Sequence, residues 1–269
     1  MQYEPLKKLL GRFSSGSVFL RKILYFLIDL ILLRTWHVKK SLKTILRLFP
    51  GDACILDAGS GFGQYAWRMA RMNKQWKIKA IDINGQHVED CKSFFDKTGM
   101  SDRVTFVKGD LVKFTEKNSY DFILSVDVME HIKEDQIVFK NFFNSLKENG
   151  IILISTPSDK GGSDVNNESD ISFIDEHVRN GYGIREIAEK LSDAGFLGIE
   201  TKYTYGLPGK ISWHLSMKYP IGMLNISRWF IIILPVYYLI FSPFIFLLNI
   251  FDLNFTHRTG TGLIIMASK

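Results

Sequence analysis

From Cys54 onward, short apolar runs and amphipathic stretches take turns in a regular order, and few folds accommodate that pattern. Runs at about 53–58, 77–83, 103–108, 120–126 and 149–155 read as strands, and stretches at about 63–73, 85–98 and 134–147 read as helices. Alternation of this kind predicts a doubly wound parallel sheet. Ligands of such sheets sit beyond the carboxyl ends of the strands, where the strand order reverses. The polar stretch SDKGGSDVNNESD (158–170) is expected as a loop that covers that edge or hangs in solvent.

Charge narrows the class of partner. Residues 1–50 hold ten Lys or Arg against Glu4 and Asp29, a local +8 that leaves −2 on the remainder of a chain with a net +6. The basicity is therefore confined to one segment, which argues against a nucleic-acid-binding face and for a local anionic partner such as lipid headgroups. Within that segment SVFLRKILYFLIDLILL (17–33) is interrupted by Arg21, Lys22 and Asp29 and runs into a basic helical pattern. An amphipathic helix lying on a membrane surface is the expectation, with a helix packed on the domain itself as the alternative. Cys54 and Cys91 form no CxxC pair and suit a reducing cytosol.

The first strand leads into ILDAGSGFGQYA (55–66). Gly59, Gly61 and Gly63 let the backbone turn tightly and approach a ligand, and the following helix directs its N-terminal N–H groups at it. The spacing G-x-G-x-G departs from the dinucleotide pattern G-x-G-x-x-G by placing Gln64 where glycine is wanted, and Asp57 precedes the loop. A carboxylate there suits an amino-acid ammonium and would repel a pyrophosphate.

This D-x-G-x-G-x-G resembles motif I of the class I S-adenosylmethionine-dependent methyltransferases, nearest to the quinone-biosynthesis branch, and later landmarks fall in order. KAIDIN (79–84), FVKGDL (106–111), YDFILSVDVMEHI (120–132), LKENGIILISTPS (146–158) and EHVRNGYGIREIAEKLSDAGF (176–196) resemble the subsequent motifs of the family. The resemblance implies an α/β, doubly wound, seven-stranded Rossmann-like sheet of order 3-2-1-4-5-7-6. It implies S-adenosyl-L-methionine as the cofactor, held by Asp57, Gly59, Ser60, Gly61 and Gly63. Asp82 would meet the ribose hydroxyls and Asp110, beside apolar Leu111, the adenine amino group, with Ile83, Leu111 and Asp127 also expected to contact the cofactor.

In this fold the seventh strand returns antiparallel between the fifth and sixth. LGIETKYTYG (197–206) suits strand six and TGLIIMASK (261–269) strand seven, so WFIIILPVYYLIFSPFIFLLNIF (229–251), 23 residues without a charge, falls inside their connection. The expected division is a helical N-terminal segment (1–50), a methyltransferase domain (51–207 with 258–269) and an apolar insert (208–257). An excursion that leaves and rejoins one sheet stays on one side of a bilayer, and the 37 residues from Tyr219 to Phe255 fall short of the roughly 40 needed for two spans. A monotopic insert is therefore expected, broken by Pro235 and Pro243 into bent, shallow pieces, with Trp229, Tyr237 and Tyr238 at the interface and Lys210, His214 and Lys218 toward headgroups or water. A hydrophobic lid or a dimer interface is the alternative.

These readings lead to a methyltransferase on the cytoplasmic face of the cell (inner) membrane, acting at oxygen on a lipophilic acceptor such as a quinone precursor, polyprenyl, polyene or lipid. His131 and His177 are candidate general bases, and Arg179 and Tyr182 candidate acceptor contacts. No spacing indicates a dedicated metal site, although carboxylates from distant loops leave Mg²⁺ open. A donor-binding scaffold without catalysis, and a soluble small-molecule methyltransferase whose insert mediates dimerisation, are the competing readings.

Overall fold

The computed structural model describes residues 17–161 and 178–269. Two helices, α1 (Val18–Ile31) and α2 (Leu33–Leu48), precede the sheet. Then β1 (Cys54–Ala58), α3 (Gln64–Met72), β2 (Lys77–Asp82), α4 (Gly85–Lys97), β3 (Val104–Lys108), β4 (Tyr120–Val126), α5 (Asp135–Ser145) and β5 (Leu146–Pro157) follow in strict alternation apart from the β3–β4 connection. After α6 (Ile184–Ala194) and β6 (Leu197–Thr204) comes a helical excursion, and β7 (Gly262–Ser268) closes the chain.

The sheet order is β3-β2-β1-β4-β5-β7-β6, as the resemblance implied. Strands β1 to β5 pair in parallel, and β7 runs antiparallel to both β5 and β6, with Leu153 opposite Met266 and Thr201 opposite Ile265. Central strands are covered on both faces, which is why CILDA, FILSV and IILIS read as nearly continuous apolar runs. One face packs Trp76, Phe95 and Phe106 with α1 to α4, and the other packs Phe139, Phe142 and Phe196 with α5 and α6. Strand β5 starts at Leu146, three residues earlier than the apolar run suggests, because Leu146 pairs with Tyr120 across a bulge.

The N-terminal helices pack on the domain through Arg21, Tyr25, Val38, Leu42 and Ile45. The outer face of α1 still presents Phe19, Ile23, Phe26 and Leu27. The segment is amphipathic, and its polar side is partly turned inward.

The excursion corrects one expectation. Instead of shallow broken pieces it is a helical hairpin: α7 (Leu207–Trp213) continues through a π-turn (His214–Lys218) into α8 (Tyr219–Ile226), and α9 (Leu234–Asn254) returns as one helix of 21 residues. Each arm is about 30 Å long at 1.5 Å per residue. Pro235 lies in the first turn of α9, where its missing N–H has no intrahelical partner to lose. Pro243 lies inside α9, and the helix continues past it because contacts with the other arm hold both sides. The Tyr237 and Tyr238 hydroxyls donate to the carbonyls of Leu215 and Ser216 in the π-turn, both at 2.7 Å, and the Ser212 hydroxyl meets the Asn249 side-chain carbonyl at 2.6 Å.

Asp252 fixes the base of the hairpin. It is fully buried, and its carboxylate meets His37 Nε2 of α2 at 2.8 Å, the Gly209 N–H at 2.9 Å, the Tyr205 N–H at 3.1 Å and His257 Nε2 at 3.1 Å. Gly209 is required there because a Cβ would stand 2.5 Å from Asp252 Oδ2. Asp252→Ala leaves these donors unpaired in a dry site and is expected to lower unfolding stability by about 3 kcal/mol or more. Denaturant titration checks this; a loss below about 1 kcal/mol would show that Asp252 does not hold the base.

Candidate active site

The carboxyl ends of β1, β2 and β4 converge on the glycine loop. Gly59 and Ser60 donate their N–H groups to the Ile81 carbonyl at 2.8 and 2.9 Å, tying the loop to β2. Gly59 has φ +78, and a Cβ there would stand 2.2 Å from Val128 Cγ2, so only glycine satisfies both the backbone and the neighbouring loop. Beside Gly61 no atom lies within 4 Å of where a Cβ would be, so this part of the loop faces open space.

Asp82 stands at the end of β2 with one oxygen accepting the Gly61 N–H at 2.7 Å and the other the Asn84 N–H at 2.8 Å. The carboxylate thus shapes the loop as well as facing the site. Ile83, next to it, is 71% exposed, an apolar side chain presented where the resemblance puts the adenosine. Asp110 accepts the Val112 N–H at 2.9 Å and keeps its partial exposure, while Leu111 is buried beside it.

Asp57 is 2% exposed, and its Oδ2 has no partner. Burial pushes the carboxyl up to about 7, and the nearby Asp82 adds to the shift. The Ser60 hydroxyl, in the loop itself, is likewise buried and unpartnered. Unsatisfied buried polar atoms are rare in folded proteins, and their concentration beside an open glycine loop fits a polar ligand with a cationic group. By the same test the residues suit S-adenosylmethionine: Asp57 would take the ammonium and Asp82 the ribose hydroxyls.

At the end of β4, Asp127 adopts φ +51 and forms an ion pair with Arg34 of α2. The Arg34 N–H donates to the Tyr205 hydroxyl at 2.9 Å, so α2, β4 and the end of β6 meet here. A 3₁₀ turn (Met129–His131) follows. Glu130 within it is fully buried, accepts from the Thr156 hydroxyl at 3.0 Å and leaves Oε1 unpartnered; burial raises its pKa. His131 lies on the same turn and is half-buried.

The two expected acceptor contacts are engaged elsewhere. Arg179 pairs with Asp135 and donates to the Ile132 carbonyl at 2.8 Å. Tyr182 is fully buried, its hydroxyl 2.8 Å from Asp135 Oδ2 and 3.0 Å from the Met129 carbonyl. Both brace the turn after β4 from behind. His177 lies outside the described residues.

Arg21, Arg34, Tyr65 and Tyr205 escaped the sequence reading. The two arginines belong to a segment rich in lysine and arginine, where a charge reads as solvated. The one available signal was Arg21 on the same helical face as Tyr25, four residues on.

Comparison with known proteins agrees with this geometry. A family model described as "Methyltransferase domain" matches residues 51–193. The ubiquinone biosynthesis O-methyltransferase of Rickettsia canadensis (strain McKiel) is 26% identical over 102 residues, 38% of this chain and 42% of that protein. The sterol 24-C-methyltransferase of Debaryomyces hansenii is 26% identical over 179 residues, 61% of this chain and 45% of its own. The chain thus spans less than half the length of either relative. Among solved structures, phosphoethanolamine N-methyltransferase 2 of Haemonchus contortus in complex with S-adenosyl-L-methionine superposes with a TM-score of 0.60 at 20% identity, covering 86% of this chain and 52% of that one.

The raised carboxyl of Asp57 sets a pH dependence. Its folded pKa of about 7 exceeds the usual carboxylate value, so the stability it contributes is fully present below the unfolded pKa and is lost as pH rises through 7. An ammonium ligand selects the ionised form, so binding below pH 7 must release the proton. With S-adenosylmethionine as probe, calorimetry is expected to show affinity rising up to about tenfold per pH unit from 5.5 to 7 and then levelling. In Asp57→Asn that rise should vanish; an equally steep rise in the variant would show that another group titrates.

Proposed function

This chain belongs to the methyltransferase-domain family, and from that premise we propose that it is a membrane-associated methyltransferase carrying a methyl group from S-adenosylmethionine to a lipophilic acceptor, at oxygen. The observation that carries the reading is the place of the hairpin. It leaves the carboxyl end of β6 and re-enters at β7, so its base shares the edge of the sheet that holds the glycine loop and Asp127. Tyr205 belongs to both: its N–H donates to Asp252 in the hairpin and its hydroxyl accepts from Arg34, the partner of Asp127.

The outward face of α9 is an apolar stripe, Val236, Leu239, Ile240, Phe244, Leu247, Ile250 and Phe251, at helical spacing. The tip exposes Trp229 and Ile231 to Ile233, with Trp229 78% exposed. α9 is long and apolar enough to cross a membrane. The two feet of the hairpin, Leu207 and Asn254, adjoin β6 and β7 at one edge of the sheet, which favours a hairpin that enters and leaves from one side over a single crossing. Lys218 lies over the ring of Trp213, toward the hairpin base, the direction in which a lysine at an interface snorkels. A lipid-soluble acceptor would then reach the site without passing fully through water, a route worth about 0.8 kcal/mol for each CH₂ kept in hydrocarbon. The names of the two sequence relatives, a quinone O-methyltransferase and a sterol C-methyltransferase, point to the same chemical class of acceptor.

The donor supplies an electrophilic methyl group on a cationic sulfur. The protein has to align the acceptor oxygen with it and receive the hydroxyl proton. Asp57, Asp82, Ile83, Asp110 and the glycine loop bind and orient the donor; Arg34 and Asp127 line the approach beside it. His131, on the turn after Asp127, receives the proton, with His177 the second candidate. The cytoplasmic face of the cell membrane is the assigned location, the basic α1–α2 segment meeting anionic headgroups.

Removing the whole insert would also remove Asp252 and His257, so the test substitutes the tip. The combination Trp229→Ser, Ile231→Glu, Ile232→Glu and Ile233→Glu is expected to lower flotation with anionic liposomes at least tenfold while affinity for S-adenosylmethionine stays within twofold. Undiminished flotation, or a defined dimer in lipid-free buffer that the tip variant dissociates, would sink the membrane reading. Labelled donor incubated with membrane extract should mark a lipid-soluble product, identified by mass spectrometry; label confined to water-soluble species would refute the acceptor class.

A further inference from the structure

The helices ahead of the sheet reach the donor site through three charged contacts. Arg34 pairs with Asp127 at the end of β4, and Asp29 with Arg68 in α3, the helix that the glycine loop begins. The third, Arg21, touches the loop itself. Its side chain is 1% exposed, with Nε donating to the Tyr25 hydroxyl at 2.8 Å and the terminal nitrogens to the Asp90 carbonyl at 2.7 Å, the Phe62 carbonyl at 2.8 Å and Cys91 Sγ at 2.9 Å. The guanidinium carbon stands 4.7 Å from the centre of the Phe94 ring.

We propose that Arg21 is a positioning residue for the methyl donor, acting by holding the Phe62 carbonyl and so fixing the glycine loop in its ligand-ready shape. This rests on the reading of that loop as the donor cradle.

Phe62 lies between Gly61 and Gly63, whose φ angles are +50 and +75. The peptide that joins Phe62 to Gly63 turns about a glycine bond on one side and so meets less steric hindrance than one between two side-chain-bearing residues, and a rotated carbonyl would withdraw the Phe62 oxygen from Arg21 and reshape the loop. Here the peptide is held at both ends. The carbonyl accepts from Arg21 and from the Tyr25 hydroxyl, and the Gly63 N–H donates to the Ser60 carbonyl at 2.8 Å. Through Asp90 the same guanidinium ties the loop to α4, the helix that begins just after Asp82. One buried cation therefore sets the distance between the loop and the strand end expected to meet the ribose.

Packing alone does not account for a charge at this position. Among the described residues its partners are all neutral groups, and removing a guanidinium from water is costly without a carboxylate opposite. A methionine, apolar and unbranched, would pack its shorter side chain beside Phe94 and Tyr25 without that cost. What it could not do is grip two carbonyls on separate elements at once, a task suited to the rigid fork of arginine.

The test uses the full chain and S-adenosylhomocysteine as the calorimetric probe, at a temperature well below the melting transition of each variant. Arg21→Met is expected to bind at least tenfold more weakly with unchanged circular dichroism, and Arg21→Lys to fall between it and the parent. Amide exchange at residues 59–64 should quicken in Arg21→Met while β1 and β4 keep their protection, a local change that general destabilisation would not produce. Binding within twofold of the parent, or unchanged exchange in the loop, overturns the proposal. If Arg21→Met does not fold, Tyr25→Phe decides: it keeps the ring against Trp67 and Phe94 but removes one of the two donors to Phe62. A threefold to tenfold weaker affinity supports the proposal and parent-like affinity overturns it. A parent chain that does not bind the probe at all would instead refute the donor reading on which the proposal stands.

Discussion

The insertion of β7 between β5 and β6 is the constraint from which the rest of the architecture follows. Because β7 is antiparallel to both neighbours, the chain must leave the carboxyl edge at Thr204 and come back to that same edge at Gly262. The residues between them have nowhere to go except outward from the ligand-binding edge and back. A long apolar hairpin at this point is thus a neighbour of the site by topology, whatever surface it meets.

Buried polar groups fix that geometry more tightly than apolar contact could. Asp252 gathers donors from α2, the end of β6, the start of α7 and the approach to β7, so the hairpin leaves the domain at a defined angle. His37 and Arg34 lie one turn apart on α2, one held by the hairpin and the other by Asp127. Hydrogen bonds and ion pairs thus join the hairpin base to α2 and α2 to the end of β4. The outward apolar stripe of α9 makes no such directional contacts among the described residues.

The helices α1 and α2 serve two environments. Inward, Arg21 and Tyr25 reach the glycine loop and Arg34 reaches Asp127; outward, α1 shows Phe19, Ile23, Phe26 and Leu27. Trp36 links the two apolar regions, its indole N–H donating to the Leu30 carbonyl at 3.2 Å and its ring lying 5.6 Å from that of Phe246 in α9. The segment that composition marks as a basic appendage thus contacts the glycine loop and the end of β4.

What the sequence determined by itself is local and periodic. Strand and helix positions, the glycine turn, Asp57 before it and Asp82 at the next strand end were legible because each depends on the identity of a few adjacent residues or on a repeat of two or 3.6. The one-sided course of the insert came instead from the strand order that the family resemblance implied, and the sheet has that order. Only the tertiary structure decided what lies far apart along the chain: the Asp252–His37 contact spans 215 positions, and the Arg21–Phe62 contact spans 41. It also decided that α9 continues past Pro243, which removes one hydrogen bond from the helix without ending it, with cross-arm hydrogen bonds from Tyr237 and Tyr238 beside it, and that Tyr182 faces inward to Asp135. A charged side chain on a helix reads as solvated until the fold brings carbonyls or a carboxylate to it, and no spacing in the chain records that approach.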